Sequence, residues 1–399
     1  MQAVMADRGL AQQARLWWRA LVLALLVLTI AGCQSVVPRG QQPRPTTPPP
    51  TTTGPGVVTP GLPTDAQRHR IALLVPQSGE NAGVGQSIAN MTQLAVLDSK
   101  NDRVRITTYD TSRGAAAAAR AAIADGNKLI LGPLLAADVS AVGPIARAAN
   151  VPILSFSNDT SVAGNGAFLL GYVPAQSVER VVEYAREKGH TRFAALVPQG
   201  AYGDRSLAAM RKALKDEGGT LVASETYDRT PTSVTGAIRR LSRGEAYDAV
   251  LVADGGRVAV QAVPLLREGS GTRPQVLGTE LWNTDSSLAG SPALRGAWFA
   301  SVSDGLYNQL ASKYRTRYGS VPYRLSALGY DAVLLTVRMA RDWKPGTAFP
   351  VGKLFADDGF GGIDGIFRFD DLGVAQRSLE VSEVGAGGFR VIDAAPAKW

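Results

Sequence analysis

The chain has little of what most chemistry needs. Its 399 residues include one cysteine, Cys33, and two histidines, His69 and His190. A single thiol excludes a disulfide within the monomer, so stability must come from packing. His69 precedes a strand and His190 sits in a helix-to-strand turn, where both read as surface residues. No HExxH, GxSxG or P-loop pattern occurs. Gly83-Val-Gly85-Gln-Ser-Ile88 begins like a dinucleotide fingerprint, but Ile88 stands where the third glycine belongs. Asp357-Asp358 and Asp370-Asp371 flank glycine-rich turns without the ligand spacing of a calcium loop, and read as solvated turn acids. These absences speak against an enzyme, and no metal or cofactor is expected. Charge is modest as well. The formal excess is +8, of which the first 32 residues supply two, through Arg8, Arg15 and Arg19 against Asp7. No basic stripe is interleaved with aromatics, so no nucleic-acid partner is expected.

What is present starts with a targeting pattern. Arg15 and Arg19 flank Trp17-Trp18, residues 20–30 are apolar, and Ile30-Ala31-Gly32-Cys33 follows. The apolar run is about half of the roughly 20 residues that span a bilayer, so it reads as the core of a signal peptide. Ile30-Ala-Gly-Cys33 resembles a bacterial lipoprotein box. That resemblance implies a signal peptide over 1–32, lipidation of Cys33 as the new N-terminus, and membrane attachment through that lipid. Gln34 after the cysteine implies the outer membrane, with the protein facing the periplasm. Residues 33–68 are rich in Pro, Thr and Gly, as in Pro43-Arg-Pro-Thr-Thr-Pro-Pro-Pro50, and read as a disordered, semi-rigid tether. At roughly 3 Å per residue in polyproline form it reaches up to about 100 Å.

The rest, residues 69–399, is hydrophobic enough for two cores. Residues 129–131 are a short apolar run stopped by Gly132-Pro133, and residues 151–154 are another, ended by Ser155. Between them Val139, Val142, Ile145 and Ala146 recur at helical spacing. Such a strand–helix–strand unit places its loops at the carboxyl ends of parallel strands, where open α/β sheets bind ligands. The pattern is also echoed. Residues 71–77 end in Val-Pro-Gln and lead through a glycine turn to a helix near 84–98 and a strand ending in Tyr109-Asp110. Residues 193–199 end in Val-Pro-Gln and lead through a glycine turn to a helix ending near 217 and a strand ending in Tyr227-Asp228. Alternating strands and helices imply parallel sheets covered on both faces. The expected fold is therefore α/β, with two Rossmann-like, doubly wound lobes joined by a hinge. The first lobe is expected over about 69–173 and 283–378, the second over about 174–282 and 379–399. Residues 360–370 and 379–392 alternate like strands that complete the first lobe and then cross over.

Several motifs in this order resemble the type I periplasmic-binding-protein fold of the leucine-binding group. They are Val75-Pro-Gln-Ser-Gly79, the Gly132-Pro-Leu to Val151-Pro-Ile segment, Ala201-Tyr-Gly-Asp204, Gly278-Thr-Glu280 and Gly329-Tyr-Asp-Ala332. The resemblance implies a ligand cleft between the lobes. Its first-lobe positions would be Ser78, Leu135, Ala136, Ser155, Ser157 and Asn158, and its second-lobe positions Tyr202, Asp254 and Glu280. A helix N-terminus and hydroxyls would hold a carboxylate there, and Glu280 an ammonium. Ser155 and Ser157 read equally well as turn caps, Glu280 as a solvated hinge acid and Tyr202 as a packing aromatic.

Two departures stand out. Ala136 sits where a solute binder has a hydroxyl, whose loss is worth about 1.5–3 kcal/mol, and Gly255-Gly256 replaces an aromatic wall. With the lipoprotein box and tether, the chain is similar to penicillin-binding-protein activator lipoproteins, which implies a non-enzymatic role and a class A penicillin-binding protein as partner. Some such activators carry a helical-repeat domain ahead of the two lobes, where this chain has only the tether. Candidate contact surfaces are the helix over 203–217 and the region 282–298. The alternative is a solute-binding lipoprotein that serves an ABC permease and takes a small amino-acid-like ligand.

Overall fold

The structure, a computed structural model, describes residues 67–269, 273–283, 285 and 287–398. The signal peptide, the lipidation of Cys33 and nearly all of the tether lie outside the described residues. The first lobe begins with β1 (His69–Val75), α1 (Ala82–Ser99), β2 (Val104–Asp110), α2 (Ala115–Ala124), β3 (Leu129–Leu131), α3 (Ala136–Ala148), β4 (Ile153–Ser155) and β5 (Ala167–Leu169). Its sheet runs β2-β1-β3-β4-β5, all parallel. Because side chains alternate along a strand, β1 feeds two cores. Ile71, Leu73 and Val75 pack with Leu129, Leu131 and Leu154, whereas Ala72 and Leu74 pack with Ile130 and Ile153 against α2 and α3. A strand buried on both faces has no polar side to alternate with, which is why β1 reads as a continuous apolar run.

The second lobe follows through α4 (Pro174–Glu187), β6 (Arg192–Pro198), α5 (Ala201–Glu217), β7 (Thr220–Tyr227), α6 (Pro231–Leu241), β8 (Ala249–Val252), α7 (Gly256–Gly269), β9 (Gln275–Gly278) and β10 (Trp298–Ser301). The chain then returns with α8 (Gly305–Tyr318), α9 (Ala327–Met339) and a small antiparallel sheet of β11 (Phe360–Gly362), β12 (Gly365–Phe369) and β13 (Ala375–Arg377). Tyr314, Tyr330 and Val333 pack on Met91 and Leu94 of α1, and Phe360, Phe367 and Phe369 join the core of β1. The closing hairpin, β14 (Glu380–Gly385) and β15 (Gly388–Asp393), completes a second sheet ordered β15-β14-β10-β9-β8-β6-β7. Among the described residues no helix is long and apolar enough to cross a membrane.

The echo in the sequence is an echo in packing. A Cβ on Gly85 would lie 1.8 Å from the Pro76 carbonyl oxygen, and one on Gly203 would lie 1.8 Å from that of Pro198. In both lobes the first turn of a helix crosses directly over the strand end at Val-Pro-Gln, and only glycine leaves room for it.

Three corrections follow. A return to the first lobe near residue 283 is too early, since β10 pairs parallel with β9 and antiparallel with β14 in the second sheet. The crossing comes after Ser301. β5 and α4 form without having been expected, although Val178, Val181, Val182 and Ala185 carry a buried helical stripe. His69 is buried and stacks on Trp343 at 4.0 Å rather than lying on the surface.

Candidate functional site

The carboxyl ends of both sheets face a cavity of about 570 Å³. The first lobe lines it with Leu134, Leu135, Phe156 and Asn158, from the loops after β3 and β4. The second lobe contributes Glu280, Leu281 and Asn283 after β9, and Ser301 and Val302 at the end of β10. The hinge adds Tyr172, Gln176 and Ser177, and the returning chain adds Tyr323, Arg324, Arg377 and Leu379. Beside Asn158, an ion pair from Arg205 of α5 to Asp159 at 2.7 Å joins the two lobes. Hydrogen bonds from Ser161 and Arg205 hold the Asp159 carboxyl down at about 2.

Three of the expected site residues, Leu135, Asn158 and Glu280, line this cavity, and the other six lie outside its lining. The Ser155 hydroxyl is buried, donates to the Pro133 carbonyl at 2.9 Å and accepts from the Ser157 N–H at 3.0 Å. The Ser157 hydroxyl accepts from the Asp159 N–H at 3.1 Å. Both therefore act as turn caps. Ser78 is exposed and shares a hydrogen bond with Ser112 at 2.7 Å. Ala136 opens α3 and offers no polar side chain. Asp254 accepts from Tyr227 at 2.8 Å and from Arg229 at 2.9 Å, inside the second lobe. The Tyr202 hydroxyl lies 2.9 Å from Thr279 Oγ1 and donates to Glu280 Oε1 at 3.2 Å.

Glu280 is the acid of the cleft. Its Oε2 is buried without a hydrogen-bond partner, and burial pushes the carboxyl up to about 7, with its own backbone N–H and then the hydroxyls of Tyr202 and Ser177 pulling the other way. The opposing charge comes from two arginines that the sequence did not mark. Arg324 donates from Nε to Asp304 at 3.0 Å and from Nη1 to the Tyr172 hydroxyl at 2.9 Å, and it pairs with Asp364 at 2.8 Å. Its guanidinium covers the Tyr307 ring at 4.2 Å, and its Nη2 is buried without a partner. Arg377 donates to the Leu170 carbonyl at 2.7 Å and pairs with Asp331 at 3.5 Å, both side chains being buried. Tyr172 donates to Asp364 at 2.5 Å. Burial, and then the charge of Asp364, raise the Asp331 carboxyl. Six side chains from the hinge, α9, the loops and the small sheet thus form one polar network against the cavity. No spacing rule finds it, because its members are far apart in sequence. Gly329-Tyr-Asp-Ala332 did mark Asp331, as a motif residue without a role.

A concave site with an unpartnered acid oxygen on one lobe and an unpartnered guanidinium nitrogen beside the hinge can bind a small polar ligand. Two α/β lobes around such a cleft are the architecture of a two-lobed binding fold. The chain belongs to the periplasmic binding protein family, type I, leucine-binding group, whose family model matches residues 69–387. It is similar to a putative branched-chain amino acid ABC transporter protein of Rhodospirillum rubrum (25% identity, TM-score 0.70), over 82% of this chain and 100% of that one. It shares its fold with the C-domain of LpoA from Haemophilus influenzae, a regulator of PBP1A (18% identity, TM-score 0.65), over 81% of this chain and 99% of that domain. An uncharacterized protein of Rickettsia prowazekii, RP748, is 29% identical over 174 residues, which are 43% of this chain and 47% of that protein.

Proposed function

We propose that this chain is a lipid-anchored, non-enzymatic activator of a peptidoglycan synthase of the class A penicillin-binding proteins. Its place would be the outer membrane, facing the periplasm and held by lipidated Cys33. The observation that carries the reading is the state of the first-lobe wall. Ser155 and Ser157 are hydrogen-bonded to the chain's own backbone, and Ala136 has no hydroxyl. A free amino acid would find few of the donors that a solute receptor supplies to its carboxylate, and each missing charge-assisted bond is worth about tenfold to a hundredfold in affinity. The fold shared with the LpoA C-domain supports the same reading. Activation then means binding a synthase more tightly in its active state than in its inactive one. The faces offered are α5 and the 282–298 region. Pull-down with purified class A synthases, followed by a glycan-polymerisation assay, tests this; no binding and no stimulation refutes it.

A second reading, a receptor delivering a small amino-acid-like ligand to an ABC permease, draws on the 570 Å³ cavity and on the unpartnered Glu280 Oε2. Thermal-shift screening separates the two. A ligand at a hundred times its dissociation constant adds about 2.7 kcal/mol of stability. A shift by one amino acid that Glu280→Ala abolishes favours the receptor.

A further inference from the structure

At the opposite end of the first sheet from the cleft, a second concave surface has no part in the reading above. A cavity of about 330 Å³ is lined by Arg68, His69, Arg70, Lys128 and Trp343, together with two glycines. An adjoining cavity of about 310 Å³ shares Arg70 and adds Arg105. The topology assembles this cluster. β1 starts at His69, β3 starts one residue after Lys128, and α9 ends shortly before Trp343, so the amino ends of parallel strands gather their basic residues at one edge. Three cationic side chains and no carboxylate line the first cavity. The one acid of the second, Asp125, accepts from the Tyr109 hydroxyl at 2.7 Å. Arg70 is fixed in place by donating from Nη1 to the Asp125 backbone carbonyl at 2.9 Å.

His69 supplies an independent sign. Its ring is 2% exposed and stacked on Trp343, whose backbone is the one polar group set against it, and neither ring nitrogen closes a well-formed hydrogen bond. Burial lowers its pKa, which keeps the ring neutral, with one N–H to donate and one nitrogen to accept. Buried polar groups in native proteins are nearly always satisfied by protein, water or an ion, and in a cation-lined hollow an anionic oxygen is the partner that charge favours. Arginine forks fit the tetrahedral oxygens of a phosphate. In sequence, the Pro/Thr-rich stretch joins Cys33 to this same edge, at Arg68.

We propose that this basic hollow binds the phosphate group of an anionic membrane lipid. The base of the first lobe would then sit on the bilayer that anchors the chain, with the cleft directed away from it. The inference rests on the lipid-anchored reading of Cys33 and is independent of which partner the cleft or the second lobe serves.

The test uses the mature chain from residue 33, carrying Cys33→Ser so that no lipid is attached, with vesicles of phosphatidylglycerol and phosphatidylcholine or of phosphatidylcholine alone. The chain is expected to co-sediment with the first and not the second, and millimolar glycerol phosphate is expected to release it. Lys128→Gln should weaken binding about fivefold, and Arg70→Gln with Lys128→Gln about twenty-five-fold, at about 1 kcal/mol per basic residue near an anionic surface. Arg211→Gln, an equal charge loss on α5, should change binding less than about twofold on the same scale. Melting curves check that each variant is folded. Absence of binding to anionic vesicles overturns the proposal, as does equal weakening by Arg211→Gln, which would mean general attraction only. Binding of glycerol phosphate without binding of vesicles overturns the lipid assignment. Because no synthase is present in this assay, its failure and the failure of the activator reading are separate results.

Discussion

The carboxyl of Glu280 is the sharpest probe of the cleft. It ends in an oxygen, Oε2, that is buried with no hydrogen-bond partner, and burial moves it from 4.5 to about 7. Between those two values the unfolded chain has released this proton while the folded chain keeps it. Stability from this group is therefore full below pH 4.5, falls as pH rises toward 7, and levels off above that. The whole loss amounts to about 3 kcal/mol. Glu280→Gln keeps the size and removes the ionisation. Relative to the native chain, the glutamine variant should be about 2 to 3 kcal/mol better placed at pH 8 than at pH 5. Urea unfolding of both proteins at the two pH values measures this. The raised Asp331 carboxyl titrates in both proteins and cancels in the comparison. An equal effect of the substitution at pH 5 and pH 8 would refute the argument, since it would mean that the carboxyl ionises as it does in water. The same ionisation bears on binding: a cationic ligand in the cleft should bind more tightly as pH rises through 7.

Two further outcomes test how the site is built. Ser155→Ala leaves the Ser157 N–H without its acceptor inside the protein and should cost about 1–3 kcal/mol in a urea melt; a neutral substitution would mean that the hydroxyl is not a structural cap. Arg377→Ala leaves Asp331 in the interior without its cationic partner, while Asp364 keeps Arg324, and should lower stability by about 3–5 kcal/mol; a loss under about 1 kcal/mol in the same measurement would show that water or another cation reaches Asp331.

The legible parts of this chain are the local ones. Val-Pro-Gln followed by a glycine turn reports the strand end, the close helix crossing at Gly85 and Gly203, and the doubling of the lobe. α1, β2 and β3 form where the sequence pattern places them, because apolar strands and amphipathic helices are patterns of neighbours. β10 was missed because four residues, Trp298–Ser301, follow a stretch rich in Gly, Ser and Pro, and a strand so short is defined by its partners β9 and β14. The polar wall of the cleft was missed for a similar reason. Arg324, Arg377, Tyr172 and Asp364 stand in four separate segments and meet only when the chain has crossed between lobes. Glu280 is marked only through the Gly278-Thr-Glu280 motif of the family resemblance; its unpartnered oxygen and raised pKa come from burial, which sequence spacing does not reveal. Ser155 and Ser157 stand at a strand end, where hydroxyls serve a ligand or a turn equally well until the backbone is seen, and both bond to backbone.

Under the proposed function the chain acts on a synthase rather than carrying a solute. The direct measurement is the rate of glycan-strand synthesis by a purified class A penicillin-binding protein, with and without the mature chain at saturating concentration. A higher rate is expected, with complex formation detectable in the same preparation. An unchanged rate with no complex, alongside a thermal shift by a free amino acid that Glu280→Ala removes, would contradict it.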